Sequence, residues 1–152
     1  MKQTVLVCLT ALTISGLAAA AEKSLQMKDL PAPVQKTVQD NLKGGEVKNI
    51  SKETEKGVAS YEVETMVGGK HRDFDVDAKG KLLDVEEEID PATVPAAAKA
   101  AIDKKVSTGK LTRVEAVDKG DGVKSYEASY TTKAGKKSEF ACKADGTEIK
   151  ED

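Results

Sequence analysis

The chain has 152 residues, 24 of them basic and 26 acidic, and its formal net charge at pH 7 is −2. Charges of both signs are interspersed along the sequence, which argues against a nucleic acid partner. The single histidine and the two cysteines do not have the spacing of a His/Cys zinc site.

Residues 1–21 have the pattern of a cleavable secretory signal peptide. Lys2 provides the positive charge, residues 4–17 are almost wholly apolar or small, and residues 18–21 are four alanines that suit a signal peptidase. The apolar segment is too short to span a bilayer of about 30 Å comfortably, so a signal anchor is the less favoured interpretation. We expect a protein exported to the periplasm or the extracellular space, with no membrane insertion after cleavage.

After the signal peptide, the sequence repeats itself at a spacing of 64 to 66 residues. The matching segments are Leu30-Pro31 with Val94-Pro95, Ser60-Tyr61-Glu62 with Ser125-Tyr126-Glu127, and Phe74 and Gly80 with Phe140 and Gly146. A duplicated unit of this size is a small domain rather than a solenoid repeat. The predicted organisation is a first repeat at 22–89, a linker at 90–93 and a second repeat at 94–152.

Each repeat begins with a predicted amphipathic helix. Apolar residues recur every four positions, which makes one stripe along each helix. The stripes are Val34, Val38 and Leu42 in the first repeat, and Ala98, Ile102 and Val106 in the second. Prolines just before the stripes suit a first helical turn. Gly44-Gly45 and Gly109 are expected to end the two helices.

Strands are predicted to follow each helix. Tyr61, Val63 and Thr65 alternate with acidic residues, and residues 72–77 alternate in the same way. Residues 47–50 and 111–114 have an apolar spacing of three, which favours a bulged or edge strand. The predicted fold class is α+β, with each of two tandem repeats forming a short helix packed on a three- to four-stranded antiparallel sheet. Whether the two sheets merge stays open at this point.

The acidic residues of these strands are the candidate binding residues. Asp73, Asp75 and Asp77 would form a ladder with a step of about 7 Å on one face of a strand. With Glu62 and Glu64 they would make a polar sheet face that binds a basic protein partner. The same three aspartates are weak candidates for calcium ligands, although a solvated sheet face is the simpler interpretation. The run Glu86-Glu87-Glu88 is interpreted as a solvent-exposed strand end or linker.

No residue pattern predicts catalysis or a cofactor. His71 lies between Lys70 and Arg72 in a predicted turn or strand start, and no motif pairs it with a Ser or Cys nucleophile. Cys142 would be the only cysteine left after cleavage at the signal peptide. We interpret it as a small core residue, with an intermolecular disulfide as the alternative. We expect a monomer or a weak dimer.

The sequence resembles the PepSY and PepSY-like domains of bacterial exported proteins. The resemblance depends on Tyr61-Glu62-Val63 and on residues 74–81, Phe-Asp-Val-Asp-Ala-Lys-Gly-Lys, with looser copies at Tyr126-Glu127-Ala128 and residues 140–146. It implies a helix packed on a small antiparallel sheet. In tandem form it is similar to the β-lactamase inhibitor protein architecture, in which two such units present a concave sheet to a partner.

These observations lead to one main hypothesis and one alternative. The main hypothesis is a non-enzymatic exported protein that binds a protein or peptide through its open sheet face. The resemblance adds a role as an inhibitor or regulator of a hydrolase or peptidase. The alternative is a small structural periplasmic protein that binds calcium or another cation through the aspartate ladder.

Overall fold

The computed structural model describes residues 24–55, 58–122 and 124–150. The predicted signal peptide at 1–21 lies outside these residues. The regular elements are α1 (Ala32–Asn41), β1 (Glu46–Glu55), β2 (Val58–Val67), β3 (Lys70–Asp77), β4 (Leu82–Glu88), α2 (Ala96–Val106), β5 (Lys110–Asp118), β6 (Lys124–Thr131) and β7 (Lys137–Lys143). Short 3-10 turns at Met27–Asp29 and Pro91–Thr93 precede α1 and α2.

The described strands form one continuous antiparallel sheet of seven strands in sequence order, β1 to β7. The predicted α+β class is confirmed. The question of one sheet or two is also answered, because β4 pairs with β5 over Val85–Glu88 and Glu115–Asp118. The first half of the chain contributes four strands and the second half three, with an isolated bridge between Cys142 and Glu148. The proposed boundaries at 89, 93 and 94 stay a prediction.

Helix α1 forms where the sequence predicts it. Pro31 is its N-cap, and Val34 and Val38 are fully buried against the sheet. The chain leaves the helix through Lys43 and Gly44, whose φ values are +47° and +76°. Glycine favours this left-handed geometry because it has no Cβ.

Helix α2 forms at the predicted place but ends differently. Ala98 and Ile102 are its buried residues. Ser107, with a φ of +48°, takes the left-handed position that follows Val106, so the prediction that Gly109 ends the helix is wrong. Gly109 instead lies close to β6, where a Cβ atom would stand 2.6 Å from the carbonyl oxygen of Thr131.

The register shows that α1 and α2 cover the same face of the sheet. Side chains of directly paired residues in neighbouring strands lie on one face. Phe74 pairs with Val85, and Val85 pairs with Asp118. Val114 precedes Asp118 by four residues in β5, so strand alternation places both on this face, and Val114 packs under α2. Phe74 itself packs under α1. Each helix therefore covers its own apolar cluster on one side of a shared sheet.

The predicted bulges are confirmed, and the acidic run at 86–88 forms the end of a strand. The register shifts between Val47 and Asn49 in β1, and between Leu111 and Arg113 in β5. Residues Glu86–Glu88, interpreted above as an exposed strand end or linker, lie in β4 with β3 on one side and β5 on the other. Within the described part of the chain, no helix has the length and apolarity needed to cross a membrane.

Candidate functional site: an acidic sheet face

The face of the sheet opposite α1 and α2 carries a dense set of carboxylates, here called the acidic face. It consists of Glu62, Glu64, Asp73, Asp75, Asp84, Glu86, Glu88, Glu115 and Glu127. The strand register arranges most of them in cross-strand rows. One row is Glu62–Asp75–Asp84, another contains the pair Asp73–Glu86, and a third is Glu88–Glu115–Glu127.

The structure brings Asp73 and Asp75 together with Glu62 and Glu64, as the sequence predicted, but it buries the two aspartates. Asp73 is 8% exposed and Asp75 is 6% exposed. The interpretation of a simply solvated ladder is therefore wrong for these two residues. β3 is an inner strand of the sheet, so side chains of β2 and β4 lie on either side of both aspartates.

Asp77 lies on the same face of β3, opposite Ser60 of β2, but a turn uses its carboxylate. Its Oδ1 accepts hydrogen bonds from the backbone N–H groups of Lys79 at 2.8 Å and Lys81 at 2.9 Å. The carboxylate thus organises the turn between β3 and β4, a common role of aspartate in turns. Its part in binding a partner stays a prediction.

Polar neighbours from β1 partly satisfy the β2 glutamates. Asn49 donates from its Nδ2 to Glu64 at 3.0 Å, and the hydroxyl of Ser51 donates to Glu62 at 3.3 Å. Burial, together with the charges of Glu53 and Glu64, nevertheless raises the pKa of Glu62 to about 7.

The largest shift occurs at the centre of the sheet. Burial raises the pKa of Glu86 to about 9, with added repulsion from Glu127, Glu115 and other carboxylates of the face. Burial also raises the pKa of Glu115 to about 7, although Arg113 opposes the change. These groups shift upward because a buried carboxylate loses hydration and meets like charges.

Two aspartates shift in the same direction for the same first reason. Burial raises the pKa of Asp73, while the backbone N–H of Thr65, which donates to its Oδ1 at 2.8 Å, acts against the increase. Burial raises the pKa of Asp84, and the positive charge of Lys119 lowers it. The acidic face is thus a surface on which neighbouring carboxyl groups compete for few counter-charges.

Sequence reasoning missed the part of the face at Asp84, Glu86, Glu115 and Glu127. The acidic run at 86–88 was visible, but the pairing of β4 with β5 was not predicted, and only this pairing places Glu115 beside Glu88. Alternation in β5 and β6 could have identified Glu115 and Glu127 as residues facing away from the apolar stripe.

The carboxylates do not form a ready metal site. Among the described residues, no three His, Cys, Asp or Glu side chains converge in an arrangement that could hold a metal ion. Extended rows along a sheet separate the oxygen atoms, whereas calcium requires six to eight of them around one point.

His71 and Cys142 have structural surroundings. His71 lies near the start of β3, with its Nδ1 3.9 Å from Oδ2 of Asp73. Cys142 is a fully buried free thiol in the apolar cluster under α2, which matches its interpretation as a core residue. Burial raises the pKa of this thiol, so its surroundings disfavour the reactive thiolate.

A cleft of about 290 Å³ lies on the other side of the sheet, where β4 meets β5. Charges of opposite sign meet there: Glu87 contacts Arg72 at 2.9 Å and Lys43 at 3.4 Å. Like charges adjoin on the acidic face instead. We therefore regard the acidic face, and not this cleft, as the candidate functional site.

Comparison with known proteins places this geometry in context. Residues 34–86 match the model of the PepSY family, described as the peptidase propeptide and YPEB domain. This span includes most of α1, all of β1 to β3 and most of β4, and it confirms the resemblance stated from the sequence. No curated protein is significantly similar in sequence to the chain.

Solved structures share the fold at low sequence identity. A "putative periplasmic" protein of Bacteroides eggerthii has a TM-score of 0.61 at 14% identity, covering 80% of this chain and 86% of its own. A DUF2874 family protein of Bacteroides uniformis has a TM-score of 0.59 at 15% identity, covering 79% and 86%. A BLIP-like protein of Bacteroides fragilis has a TM-score of 0.52 at 16% identity, covering 81% and 85%. At this identity the likeness establishes the fold alone.

Proposed function

Starting from a chain whose residues 34–86 form a PepSY domain, we propose that it is an exported, non-enzymatic binding protein that captures a basic segment of a protein or peptide. The single observation that carries the proposal is the row Glu62–Asp75–Asp84, in which three carboxylates stand directly side by side across three strands. Like charges directly opposite each other destabilise a sheet. A cationic partner relieves this repulsion, so its binding should also stabilise the sheet.

The charge of the face selects the partner class. Complementary charge steers encounter and suppresses partners of the wrong sign. A lysine- or arginine-rich segment supplies ammonium or guanidinium groups that donate several hydrogen bonds to carboxylate oxygens. An acidic protein or a nucleic acid is repelled by the same face.

Export is supported by two observations of different kinds. Residues 1–21 have the signal peptide pattern, and the similar fold from Bacteroides eggerthii carries the description "putative periplasmic". We place the mature protein in the periplasm or the extracellular space.

The non-enzymatic role is supported by the surroundings of the residues that most often carry catalysis. The single histidine, His71, faces Asp73 rather than a nucleophile. Cys142 is buried in the core, and its raised thiol pKa disfavours a thiolate.

The test compares two triple variants with identical net charge. Glu62→Gln, Asp75→Asn and Asp84→Asn together neutralise the row with almost no change of volume. The control neutralises three exposed carboxylates elsewhere, Asp40→Asn, Asp103→Asn and Glu148→Gln, which form surface ion pairs with lysines. Glutamine and asparagine are preferable to lysine here, because a lysine introduced at buried Asp75 would endanger folding.

Binding of an eight-residue lysine peptide is measured by calorimetry at two salt concentrations. We expect at least tenfold weaker binding for the row variant and less than threefold weaker binding for the control, since non-specific attraction depends on net charge alone. Equal weakening in the two variants would remove the acidic face from the proposal.

A hydrolase or peptidase is the partner class that the family suggests. The matched family is described as a peptidase propeptide domain, and this description supports an inhibitory or regulatory role without identifying an enzyme. Protease and β-lactamase panels with the mature protein test the role. Undiminished activity throughout the panels would leave it without support.

The alternative of a small structural protein that binds calcium or another cation stays a separate prediction. Titration of the mature protein with calcium in the millimolar range tests it by calorimetry. Heat signals lost in the Asp73→Asn, Asp75→Asn variant would favour it over the peptide-binding role.

A further inference from the structure

The central carboxyls of the acidic face cannot all be ionised at low cost. Asp84 is 5% exposed and Asp75 is 6% exposed, and they are direct cross-strand partners. Side chains in such pairs lie about 4.5–5.5 Å apart at Cβ. Water screens charges poorly at this degree of burial. Ionisation of both carboxyls of the pair therefore costs free energy.

Glu86 is the residue where these effects accumulate. It lies between Asp73 in β3 and Val117 in β5, with Asp84 and Glu88 two positions away along β4. Burial and the surrounding carboxylates raise its pKa to about 9. Its side chain is therefore a carboxylic acid, not a carboxylate, in the unbound protein at neutral pH.

Glu115 provides an independent sign that the face is incomplete without a ligand. This residue is 1% exposed, and its Oε2 lies 3.1 Å from Nε of Arg113. Its Oε1 is buried and has no hydrogen-bond partner among the described residues. A buried acceptor left unsatisfied costs free energy, and a donor from a partner would satisfy it.

The charges that face these carboxyls come from every strand of the sheet. They are Glu53 of β1; Glu62 and Glu64 of β2; His71, Asp73 and Asp75 of β3; Asp84, Glu86 and Glu88 of β4; Arg113 and Glu115 of β5, followed by Lys119; Glu127 of β6; and Glu139 and Lys143 of β7. Acidic groups far outnumber basic ones, so the deficit of positive charge is met by protons or by a partner.

We propose that the acidic face binds cationic groups in exchange for carboxyl protons, so that the protein captures a lysine- or arginine-rich segment at neutral to mildly alkaline pH and releases it at acidic pH. The inference rests on the proposed function and adds its regulation. In the exchange, an O–H bond of a carboxyl group breaks, the proton passes to the buffer, and the carboxylate pairs with the incoming ammonium group. No electron transfer is involved.

Proton exchange has a signature that ordinary electrostatic binding lacks. Carboxyls with ordinary pKa values near 4 are fully ionised above pH 6, and lysine side chains stay charged below about pH 9. Binding by such groups is independent of pH between 6 and 8. For each proton released, the affinity instead rises about tenfold per pH unit in that range.

The experiment measures binding of the eight-residue lysine peptide at pH 6, 7 and 8, in phosphate and in Tris buffers of equal ionic strength. The dependence of the observed heat on the ionisation enthalpy of the buffer counts the protons released. We expect release of about one proton per peptide at pH 7, and an affinity that rises at least tenfold from pH 6 to pH 8.

Single variants locate the exchanged protons. Glu86→Gln and Glu115→Gln keep the volume of the side chain but remove its ionisation, and each should lower the number of protons released. Glu46→Gln, at an exposed position in β1, is the control and should leave the number unchanged. Circular dichroism of each variant verifies folding.

The outcomes separate the inference from the proposed function. Binding with constant affinity from pH 6 to pH 8 and no proton release would overturn the inference and leave the binding role intact. Absence of peptide binding at every pH would overturn the binding role and the inference with it. Proton release unchanged in the Glu86→Gln and Glu115→Gln variants would overturn the assignment to these residues.

Discussion

The two halves of the sheet use the same contact to hold a helix and different residues on the opposite face. In the first half Phe74 packs under α1, and in the second half Phe140 packs under α2. A glycine of positive φ touches each helix from the turn that follows. A Cβ on Gly80 would stand 2.7 Å from the carbonyl oxygen of Pro33, and one on Gly146 would stand 2.7 Å from that of Ala97.

The two halves differ on the acidic face, opposite α1 and α2. Strand β3 places Asp73 and Asp75 on the acidic face, whereas β7 places Glu139, Ala141 and Lys143 there, one acid and one base. Helix packing therefore constrains one face of each half tightly, whereas the opposite face is free to differ.

Removal of the two phenylalanine rings would measure how alike the cores are. We expect Phe74→Ala to lower the free energy of unfolding by about 4 kcal/mol and Phe140→Ala by about 3 kcal/mol, because Phe74 is 1% exposed and Phe140 is 7% exposed. Urea denaturation of the two variants gives these values. A larger loss for Phe140→Ala would contradict the view that the first half has the tighter core.

Alanine at the two contacting glycines tests the shared helix–turn contact. We expect Gly80→Ala and Gly146→Ala each to cost about 3 kcal/mol, from the strained φ and from the collision with a helix carbonyl. Gly135→Ala is the control: its φ is +81°, but nothing lies within 4 Å of an added Cβ. It should cost only about 1 kcal/mol. Equal losses at the three positions, measured by thermal denaturation, would show that the helix contact contributes nothing.

Arg72 lies over the ring of Phe74 and Lys105 over the ring of Phe140. We expect these two cations to contribute unequally to the free energy of unfolding. Arg72 is 6% exposed and donates to the carbonyl oxygen of Asn41 at 2.7 Å and to Glu87 at 2.9 Å. Arg72→Met should therefore cost about 2 kcal/mol, since it removes a buried donor from the carbonyl oxygen of Asn41 and leaves Glu87 with Lys43 alone. Lys105 pairs with Glu148 at the surface, and Lys105→Met should not change stability measurably. Similar losses of unfolding free energy for the two variants in urea denaturation would contradict this expectation.

The acidic face should make stability depend on pH in a defined direction. The pKa of Glu86 is raised from 4.5 to about 9 in the folded protein, so the native state holds a proton that the unfolded state has lost. Its stabilising contribution is complete below about pH 4.5 and is lost as the pH rises toward 9. We expect a melting temperature that falls between pH 5 and pH 9.

The matching variant sharpens this prediction. Glu86→Gln should stabilise the protein at pH 8 and by much less at pH 5, because glutamine, like the protonated acid, carries no charge at either pH. Glu46→Gln should leave the pH profile unchanged. A profile of Glu86→Gln parallel to that of the wild type would exclude Glu86 as the titrating group.

Much of the fold could be predicted from local patterns. The stripes Val34–Val38 and Ala98–Ile102 and the bulges of β1 and β5 all depend on residues close in sequence. The end of α2 could not, because Ser107 rather than a glycine takes the positive φ, and the close approach of Gly109 to Thr131 depends on β6.

The candidate site was predictable only in part. Glu62, Glu64, Asp73 and Asp75 follow from alternation within β2 and β3, which needs no tertiary information. Alternation within β3 also includes Asp77, but it does not reveal that backbone N–H groups of a turn use this carboxylate. Glu86 and Glu115 were missed because burial and repulsion arise only after β4 and β5 pair.

The sequence by itself determined the α+β class, the positions of α1 and α2 and the polar character of one strand face, because periodicity and turn residues act over a few neighbours. The tertiary structure alone decided that the strands join into one sheet at β4 and β5. It also decided that carboxylates from several strands meet there in rows. Electrostatic repulsion and loss of hydration depend on distance in space, and residues as far apart in sequence as Glu62 and Glu127 share a face only in the folded chain.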